Sequence, residues 1–522
     1  MRFLTLVFGF SLAALPAQQI LQNFDPLDFY QRYTPMGDVN GDGYEDMLTT
    51  SLIYVGPTWV YYDYELRFYS GRDGSLLRLG PRWPYPDGGF SYPTGDHDHD
   101  GVRDYICFDT DFANLVNPTR RLSVRSGRDD HVLWMLQAPP TTSWVYHVIG
   151  DLDVNGDGEL DVVVSHPTAS NYGAFWAYDH QGNLLYNVNL LGVPNPNYTL
   201  GLSLAKLGDI NGDGCDDYIM GLGVQTGRGA VAVISGVNGQ FLRIVTGQNV
   251  GDYIGSGCTG CGDLDGDGLP DFAAGGGLSY QYGSVQAFSS ATGARLFAVY
   301  SGLVGDRFGA VLRAADYDHD GIDDIIAAAW SGMRVVSGRE GIEIARFIPN
   351  STNWTTFEAQ PLRTPSGFPH FFVSTQGFGT FHLSATPRGS RSLGLGCAIG
   401  TPTHDAPRLG MRELTGFDRR LTLSGAQPGT VAFLLLGLTN GTHVPLNLAP
   451  LGLPLCSVYP DIQIIGGFTT GTTGLQAGFT RHDFAIPSAS AFGRGIDAQW
   501  VTLDPTFAPA GLSNAIRFAI QP

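Results

Sequence analysis

DLDGDGLPD, residues 263–271, is one of six copies of a nine-residue pattern in this chain. It places oxygen-bearing side chains at positions 1, 3, 5 and 9 and a glycine at position 6. A hard cation such as Ca2+ takes about six to eight oxygen ligands, which a curling chain supplies from alternate residues and a backbone carbonyl. Glycine permits the sharp bend because it has no side chain to clash at positive φ. The spacing therefore predicts a calcium-binding loop.

The six copies start 53 to 58 residues apart, and we number them loop 1 to loop 6 in chain order. They read DVNGDGYED (38–46), DHDHDGVRD (96–104), DVNGDGELD (153–161), DINGDGCDD (209–217), DLDGDGLPD (263–271) and DYDHDGIDD (316–324). A polar turn would explain one such loop, but six in register indicate metal binding. About six Ca2+ ions are expected.

The predicted ligands are the side chains at positions 1, 3, 5 and 9 and the backbone carbonyl at position 7. They are Asp38, Asn40, Asp42, Tyr44 and Asp46; Asp96, Asp98, Asp100, Val102 and Asp104; Asp153, Asn155, Asp157, Glu159 and Asp161; Asp209, Asn211, Asp213, Cys215 and Asp217; Asp263, Asp265, Asp267, Leu269 and Asp271; Asp316, Asp318, Asp320, Ile322 and Asp324. Asp151 is an extra ligand or, as we favour, the cap of the turn before loop 3.

The loops differ from the helical EF-hand, which closes with a bidentate Glu at position 12. Position 12 here is occupied by Thr49, Cys107, Val164, Met220, Ala274 and Ala327. None of these side chains closes such a cage. Each loop is followed by a short apolar run, such as DVVVS from Asp161, which is typical of a buried strand. The loops are therefore predicted to join strand to strand.

Each repeat unit is predicted to hold about four strands, the content of a propeller blade. A Gly-rich segment precedes each loop, and a strand, a tight turn and another strand follow it, as in VAVISGVNGQFLRIV from Val231. A seventh unit lacks the carboxylates: LRTPSGFPHFFVS from Leu362 aligns with the segment from Leu312, and TFHLSATPRGSRSL from Thr380 aligns with the hairpin from Met333. The prediction is an all-β, seven-bladed β-propeller with six calcium-binding blades and one degenerate blade.

Residues 25–390 resemble FG-GAP repeats, also described as VCBS-type repeats, which form the blades of the integrin α-subunit headpiece and of many secreted bacterial proteins. The DxDxDGxxD loops carry this resemblance, and the Phe-Gly signature survives clearly at Phe308 and Gly309. The resemblance implies a seven-bladed propeller with calcium in loops on one face and ligands bound on the other. It also implies an extracellular binding or adhesion role with a protein or glycan partner.

The N-terminus resembles a signal peptide, residues 1–17, with Arg2, an apolar run from Phe3 to Leu15 and small Ala17. This run is too short to span a bilayer, which takes about 20 residues, and no later segment is apolar for long enough. We expect a monomer that is secreted or held in the cell envelope. The propeller is assigned to residues 18–390 and a small β-sandwich to residues 391–522, whose role in display, sorting or glycan contact stays open.

The net charge of −19 is explained by metal chemistry, because 21 of the predicted ligands are aspartates. Lys206 is the only lysine, and the arginines are scattered along the chain. Nucleic-acid binding needs a clustered basic surface, so we expect no nucleic-acid partner.

The six cysteines suit disulfide bonds in an exported chain. We expect Cys397 to pair with Cys456, with two separate buried thiols as the alternative. Cys258 and Cys261 form a CTGC motif that suggests redox or zinc chemistry. Its Gly-rich strand context favours a structural bridge, either between the two or to Cys215 or Cys107.

No Ser-His-Asp context, nucleophile elbow, phosphate loop or HExxH motif occurs, so a non-enzymatic module is expected. His97, His99 and His319 occupy even loop positions and are expected to be exposed. The alternative is a carbohydrate-active protein, a lectin or a polysaccharide lyase or hydrolase, that uses the propeller face. Its candidate aromatic residues, which equally suit packing between blades, are Trp59, Tyr61, Tyr62, Trp83, Tyr85, Trp144, Tyr146 and Trp176.

Overall fold

The computed structural model describes most of the predicted propeller and separate strands beyond it. The described residues are 19–23, 33–54, 62–84, 91–111, 119–137, 147–166, 173–189, 198–224, 227–276, 282–347, 356–365, 369–375, 379–384, 391–394, 397–398, 408–413, 419–424, 431–439, 446–447, 457–458, 463–469, 480–484, 495–503, 509–512 and 515–519. Within them the regular elements are all strands. Nowhere in these ranges is there a helix long and apolar enough to cross a membrane.

Six blades are consecutive four-stranded antiparallel sheets. Blades 1 to 3 contain β2 (Tyr33–Pro35), β3 (Met47–Tyr54), β4 (Tyr62–Tyr69) and β5 (Leu76–Pro84); β6 (Ser91–Pro93), β7 (Tyr105–Asp111), β8 (Thr119–Arg125) and β9 (Val132–Gln137); and β10 (His147–Leu152), β11 (Asp161–His166), β12 (Ala174–Tyr178) and β13 (Leu184–Asn189). Blades 4 to 6 contain β14 (Tyr198–Gly208), β15 (Asp217–Val224), β16 (Ala230–Ile234) and β17 (Phe241–Thr246); β18 (Gly257–Gly260), β19 (Phe272–Gly276), β20 (Tyr282–Phe288) and β21 (Arg295–Val304); and β22 (Val311–Ala315), β23 (Asp324–Ala329), β24 (Gly332–Val336) and β25 (Glu343–Phe347).

The seventh blade is closed by the N-terminal strand. It comprises β26 (Thr356–Leu362), β27 (His370–Thr375) and β28 (Gly379–Ser384), and β1 (Gln19–Asn23) pairs antiparallel with β28 as the outer strand. First strands of successive blades contact one another from β2 to β26, and β26 contacts β2. The ring is thus closed, and the predicted seven-bladed all-β fold is confirmed.

One detail of the predicted seventh blade is wrong. The alignment of the segment from Thr380 predicts a complete hairpin in this blade, but only its first strand, β28, belongs to the blade. The following strand, β29 (Arg391–Gly394), pairs instead with β40 (Ala515–Ala519). The N-terminal strand takes the vacant edge because an open outer edge leaves backbone groups unpaired.

The core of the propeller lies between adjacent blades. Tyr218 and Met220 of β15 are fully buried and pack with Phe175 of blade 3, whereas Ile219 packs with Phe272 of blade 5. Successive side chains of a strand point to opposite faces, so both faces of β15 are covered. This explains why the second strands of blades 3 to 6 have largely apolar sequences, such as DIIAAA in β23.

The strands beyond residue 390 form separate sheets. One sheet contains β29, β30 (Cys397–Ala398), β33 (Val431–Thr439), β36 (Gln463–Thr469), β38 (Gly495–Leu503), β39 (Pro509–Leu512) and β40. A second contains β31 (Arg408–Glu413), β32 (Arg419–Ser424) and β37 (Thr480–Phe484), and a third β34 (Leu446–Asn447) and β35 (Ser457–Val458). These sheets agree with the predicted all-β C-terminal part.

The predicted bridges of the CTGC motif are wrong. Cys215, Cys258 and Cys261 are free thiols, and all three are buried, as is Cys107. Cys258 packs toward blade 4, and Cys261 packs toward blade 6. Their odd separation places the two side chains on opposite faces of the strand. The expected pair of Cys397 and Cys456 is untested, since Cys456 lies outside the described residues.

Candidate metal centres

All six loops connect the first and second strands of their blades, as predicted. The position-6 glycines have φ values from 85° to 91°, in the region that favours glycine. Position 4 is also left-handed, and there His99 and His319 have φ values of 56° and 61°. The six segments thus share one tight bend.

Position 1 organises the loop through its own carboxylate. In loop 5, Asp263 Oδ1 accepts a hydrogen bond from Gly266 N at 2.6 Å, and its Oδ2 accepts one from Gly268 N at 2.8 Å. The position-7 N–H donates to Oδ1 of position 5 in every loop, at 2.8 to 3.0 Å. These short-range bonds hold the position-1 and position-5 carboxylates within the bend.

Position 9 joins each loop to the rest of its blade. Asp46, Asp104, Asp161, Asp217, Asp271 and Asp324 are all fully buried. One oxygen of each accepts the position-2 backbone N–H, at 2.6 to 3.1 Å. In five loops the other accepts, at 2.9 to 3.0 Å, a backbone N–H from the turn between the third and fourth strands, donated by Gly71, Gly127, Gly236, Ser290 and Gly338.

Close backbone approach explains the glycine in four of these turns, whereas blade 5 has Ser290 at the same place. A Cβ atom added at Gly127 would lie 1.9 Å from the carbonyl oxygen of Arg103, a separation that real Cβ atoms do not show. At Gly127, a residue with a Cβ atom would therefore require a shift of the backbone. The turn and the metal loop therefore lie together on one face of the propeller.

Loop 3 lacks the bond from this turn. Asp161 Oδ1 is buried and has no hydrogen-bond partner. The corresponding turn of blade 3 reads Asp179, His180 and Gln181 rather than Ser-Gly. A buried carboxylate oxygen without a donor is costly, and a cation would satisfy it.

Carboxylates converge in the three loops that have Asp at position 3. Ligand atoms lie within 4.8 Å of one another in three groups: Asp96, Asp98 and Asp104; Asp263, Asp265 and Asp271; and Asp316, Asp318 and Asp320. Loops 1, 3 and 4 have Asn at position 3, so each holds one carboxylate fewer. The donor set is oxygen throughout, which suits a hard divalent cation.

The pKa values of the buried aspartates are raised above the ordinary range of aspartate. Burial raises the pKa of Asp46, Asp104, Asp217 and Asp271 to about 6 and that of Asp161 to about 7. In loop 6, burial and the neighbouring aspartates raise the pKa of Asp316 and Asp324 well above the usual range. Desolvation and like charges both disfavour the ionised form, so a bound cation would relieve both.

Two arginines contact position 5, and sequence reasoning did not select them. Arg128 Nε donates to Asp100 Oδ2 at 2.6 Å, and Arg339 Nε donates to Asp320 Oδ2 at 2.8 Å. Each also donates from Nη2 to the backbone carbonyl of the same aspartate, at 2.5 Å and 2.9 Å. The Ser-Gly-Arg sequence of these turns is the signal that could have identified them.

Adjacent loops are also hydrogen-bonded to each other. Asp216 N donates to the carbonyl of Asp153 at 2.6 Å, and Asp153 N donates to Asp216 Oδ2 at 2.9 Å. Between blades 1 and 7, Glu45 N donates to the carbonyl of Arg363 at 3.0 Å, and Arg363 N donates to Glu45 Oε2 at 2.9 Å. At these two junctions, the hydrogen bonds therefore couple the conformation of one loop to that of its neighbour.

The expectation of exposed loop histidines holds only for His99. Its side chain is 66% exposed, and its Nε2 lies 3.0 Å from Glu159 Oε2 of loop 3. His97 is half-buried and packs against Trp134, and burial lowers its pKa to about 4. His319 is 4% exposed. His97 is shielded because its loop folds back onto Trp134 of β9 in the same blade.

The structure describes Asp151 and three of the eight candidate aromatic residues. Asp151 lies within β10, and Lys206 Nζ donates to its carbonyl at 2.9 Å. Trp83 is 9% exposed and packs in the core of blades 1 and 2, and Trp176 is half-buried. Tyr62 begins β4. Trp59, Tyr61, Tyr85, Trp144 and Tyr146 lie outside the described residues.

The chain is similar to integrin α subunits over part of its length. Integrin alpha-PS5 of Drosophila melanogaster is 33% identical over 147 residues, which are 25% of this chain and 14% of that protein. Integrin alpha-7 of Homo sapiens is 30% identical over 152 residues, 27% of this chain and 13% of that protein. Integrin alpha-5 of Xenopus laevis is 24% identical over 207 residues, 36% and 19% respectively. The chain thus spans less than a fifth of the length of these relatives.

Two further comparisons add no argument about function. No family model matches the chain. Among solved structures, Sqt1 of Saccharomyces cerevisiae aligns with a TM-score of 0.45 and 12% identity, over 71% of this chain and all of that one.

Proposed function

Because the propeller is integrin α-like, we propose that this chain is an extracellular binding or adhesion module whose six loops bind about six Ca2+ ions. The observation that carries the proposal is the shared geometry of the loops. Each presents oxygen atoms around one bend, and in five loops the buried position-9 aspartate is bonded to a turn of the blade. The proposed ligands are the residues at positions 1, 3, 5, 7 and 9 of each loop.

Calcium would supply positive charge and a rigid coordination centre in each loop. The other restraints come from the chain itself. The position-1 carboxylate holds the bend, and the position-5 carboxylate fixes the backbone at position 7. In five loops the position-9 carboxylate connects the loop to the turn between the third and fourth strands. Without a cation, crowded carboxylates repel each other and favour looser loops. The loops are therefore proposed as the rigid frame of the propeller.

The partner is proposed to bind the face opposite the metal loops, as the resemblance implies. The described connections on this face include a buried polar turn in blade 6. There, Ser331 N and Oγ donate to the two carboxylate oxygens of Asp306 at 2.7 and 3.0 Å. Such fixed turns suit the display of a binding surface on a rigid scaffold. We further propose that the chain acts as a secreted, non-enzymatic monomer.

A binding array tests this role. The mature chain is applied to printed extracellular-matrix proteins and glycans, once with calcium and once with EDTA. Calcium-dependent binding to a protein supports the adhesion role, and calcium-dependent binding to one sugar class moves the assignment to a lectin. Absence of binding by the folded, calcium-loaded chain on both panels contradicts the proposed role.

A further inference from the structure

The six loops differ in the group that donates to the second oxygen of the position-5 aspartate. In loops 1, 3 and 4 the donor is the position-3 asparagine amide, at 2.9 to 3.3 Å. In loops 2 and 6 position 3 is Asp, which has no proton to donate when ionised, and the donor is Arg128 or Arg339. Asparagine and arginine thus replace each other across five loops.

Loop 5 has neither donor. It has Asp265 at position 3, and its turn carries Ala291 where blades 2 and 6 carry arginine. Asp267 Oδ1 accepts the N–H of Leu269 at 2.9 Å, and among the described residues no arginine forms an ion pair with this loop. Loop 5 therefore combines four aspartates with no internal cation.

Blade 1 shows that the turn sequence alone does not produce the contact. Its turn also reads Ser-Gly-Arg, but Arg72 is exposed and makes no described contact with loop 1. In this loop Asn40 Nδ2 already donates to Asp42 Oδ2 at 3.3 Å. The arginine is recruited where position 3 cannot donate.

We propose that Arg128 and Arg339 are tethered counter-cations, which hold loops 2 and 6 together without calcium and make their calcium affinity lower than that of loop 5. This inference rests on the proposed calcium function. A guanidinium fixed beside the metal position repels a divalent cation and competes for the same carboxylate oxygen. The chain would then fill its loops in order, with loop 5 ahead of loops 2 and 6.

Burial distinguishes the two arginines. The side chain of Arg339 is 8% exposed and that of Asp320 is 4% exposed, whereas Arg128 is 58% exposed. Solvent screens exposed pairs strongly and buried pairs much less. Removal of Arg339 is therefore expected to change calcium binding more than removal of Arg128.

The test measures calcium binding and metal-free stability in Arg339→Gln, Arg128→Gln and the matched control Arg72→Gln. Isothermal titration calorimetry with CaCl2 gives the number of ions and their affinities, and thermal unfolding in EDTA gives the metal-free stability. For Arg339→Gln we expect about tenfold tighter binding at one site, a free-energy change near 1.4 kcal/mol. We also expect a lower metal-free Tm, a smaller effect for Arg128→Gln and none for Arg72→Gln.

Two further variants keep the test decisive if Arg339→Gln folds poorly. Asp318→Asn combined with Arg339→Gln gives loop 6 the asparagine arrangement and should restore metal-free stability. Ala291→Arg should lower the affinity of one site by about tenfold, because it adds the counter-cation to loop 5. If six ions still bind, unchanged or weaker calcium binding by Arg339→Gln overturns the counter-cation role alone. Unchanged calcium binding by Ala291→Arg does the same. Absence of calcium binding by the unmodified chain overturns the proposed calcium function.

Discussion

Ser290 donates its backbone N–H to Oδ1 of Asp271 at 2.9 Å, and this bond joins loop 5 to the turn between the third and fourth strands of its own blade. The other oxygen of Asp271 accepts the N–H of Leu264 at 2.9 Å. One buried carboxylate therefore orders two segments that are distant in sequence. Any cation bound by Asp271 acts on both, which links metal binding to the rigidity of the blade.

Replacement of the position-9 aspartate should cost less in loop 3 than in loop 4. Asp217 accepts backbone N–H groups on both oxygens, from Ile210 and Gly236, so Asp217→Asn turns an amide nitrogen toward one of these donors. The loss is expected to be about 1–3 kcal/mol in the free energy of unfolding. Asp161→Asn can direct its amide to the side where Asp161 Oδ1 has no partner. Urea unfolding in EDTA measures both, and an equal or larger loss for Asp161→Asn would contradict this assignment.

Asp267→Ala should reduce the number of bound calcium ions by about one. It removes the proposed central side-chain ligand of loop 5 and leaves the other loops unchanged in sequence. Asp129→Ala is a suitable control, because Asp129 is 63% exposed and lies outside the loops. Equilibrium dialysis against calcium gives the number of ions, and retention of every ion by Asp267→Ala would refute the proposed ligand set.

Acid should destabilise blade 7 through a buried histidine. His382 is fully buried, and burial together with the nearby His370 lowers its pKa from 6.5 to about 3. Between these values the unfolded chain binds the proton and the folded chain does not, so the free energy of unfolding falls as pH decreases from 6.5. The expected loss from this residue is about 2 kcal/mol between pH 6.5 and pH 5.

His382→Phe removes this titration and keeps a ring that can stack on Phe372, whose centroid lies 4.6 Å from that of His382. The variant should lose less stability than the unmodified chain between pH 6.5 and pH 5, as measured by urea unfolding at each pH. His131→Phe is the contrasting variant. The hydrogen bond to Asp129 raises the pKa of His131, so its removal should not reduce the loss of stability between pH 6.5 and pH 5. Parallel pH profiles of the unmodified chain and His382→Phe would exclude the role of His382.

Deletion of residues 19–23 should lower the Tm by opening the seventh blade. β1 pairs with β28 at the outer edge, and its removal exposes the backbone of β28. The propeller closes through this strand, so differential scanning calorimetry should show a broader transition at lower temperature. An unchanged melting profile would show that the strand is dispensable for closure.

Local features were predictable from the sequence. The spacing of Asp263, Asp265, Asp267 and Asp271 predicted the bend, and the apolar run after Asp217 predicted a buried second strand. The fold class followed because one unit repeats with a nearly constant period. The predicted ligand set of the loops stays a prediction.

Features that depend on packing between distant segments were missed. β1 closes the seventh blade because of an open edge, which leaves no motif in Gln19–Asn23. His319 is buried, although its loop position predicts exposure. The contact of Arg339 with Asp320 depends on the Asp at position 3, a relationship visible only when six loops are compared.

The most direct test of calcium as the rigid frame of the propeller is the thermal unfolding of the mature chain with saturating CaCl2 and after exhaustive treatment with EDTA. Removal of the ions leaves crowded, partly buried carboxylates unpaired in six loops, so we expect a large drop in Tm that is reversed by added calcium. An identical Tm in the two conditions, for protein shown by elemental analysis to be free of metal, would contradict it.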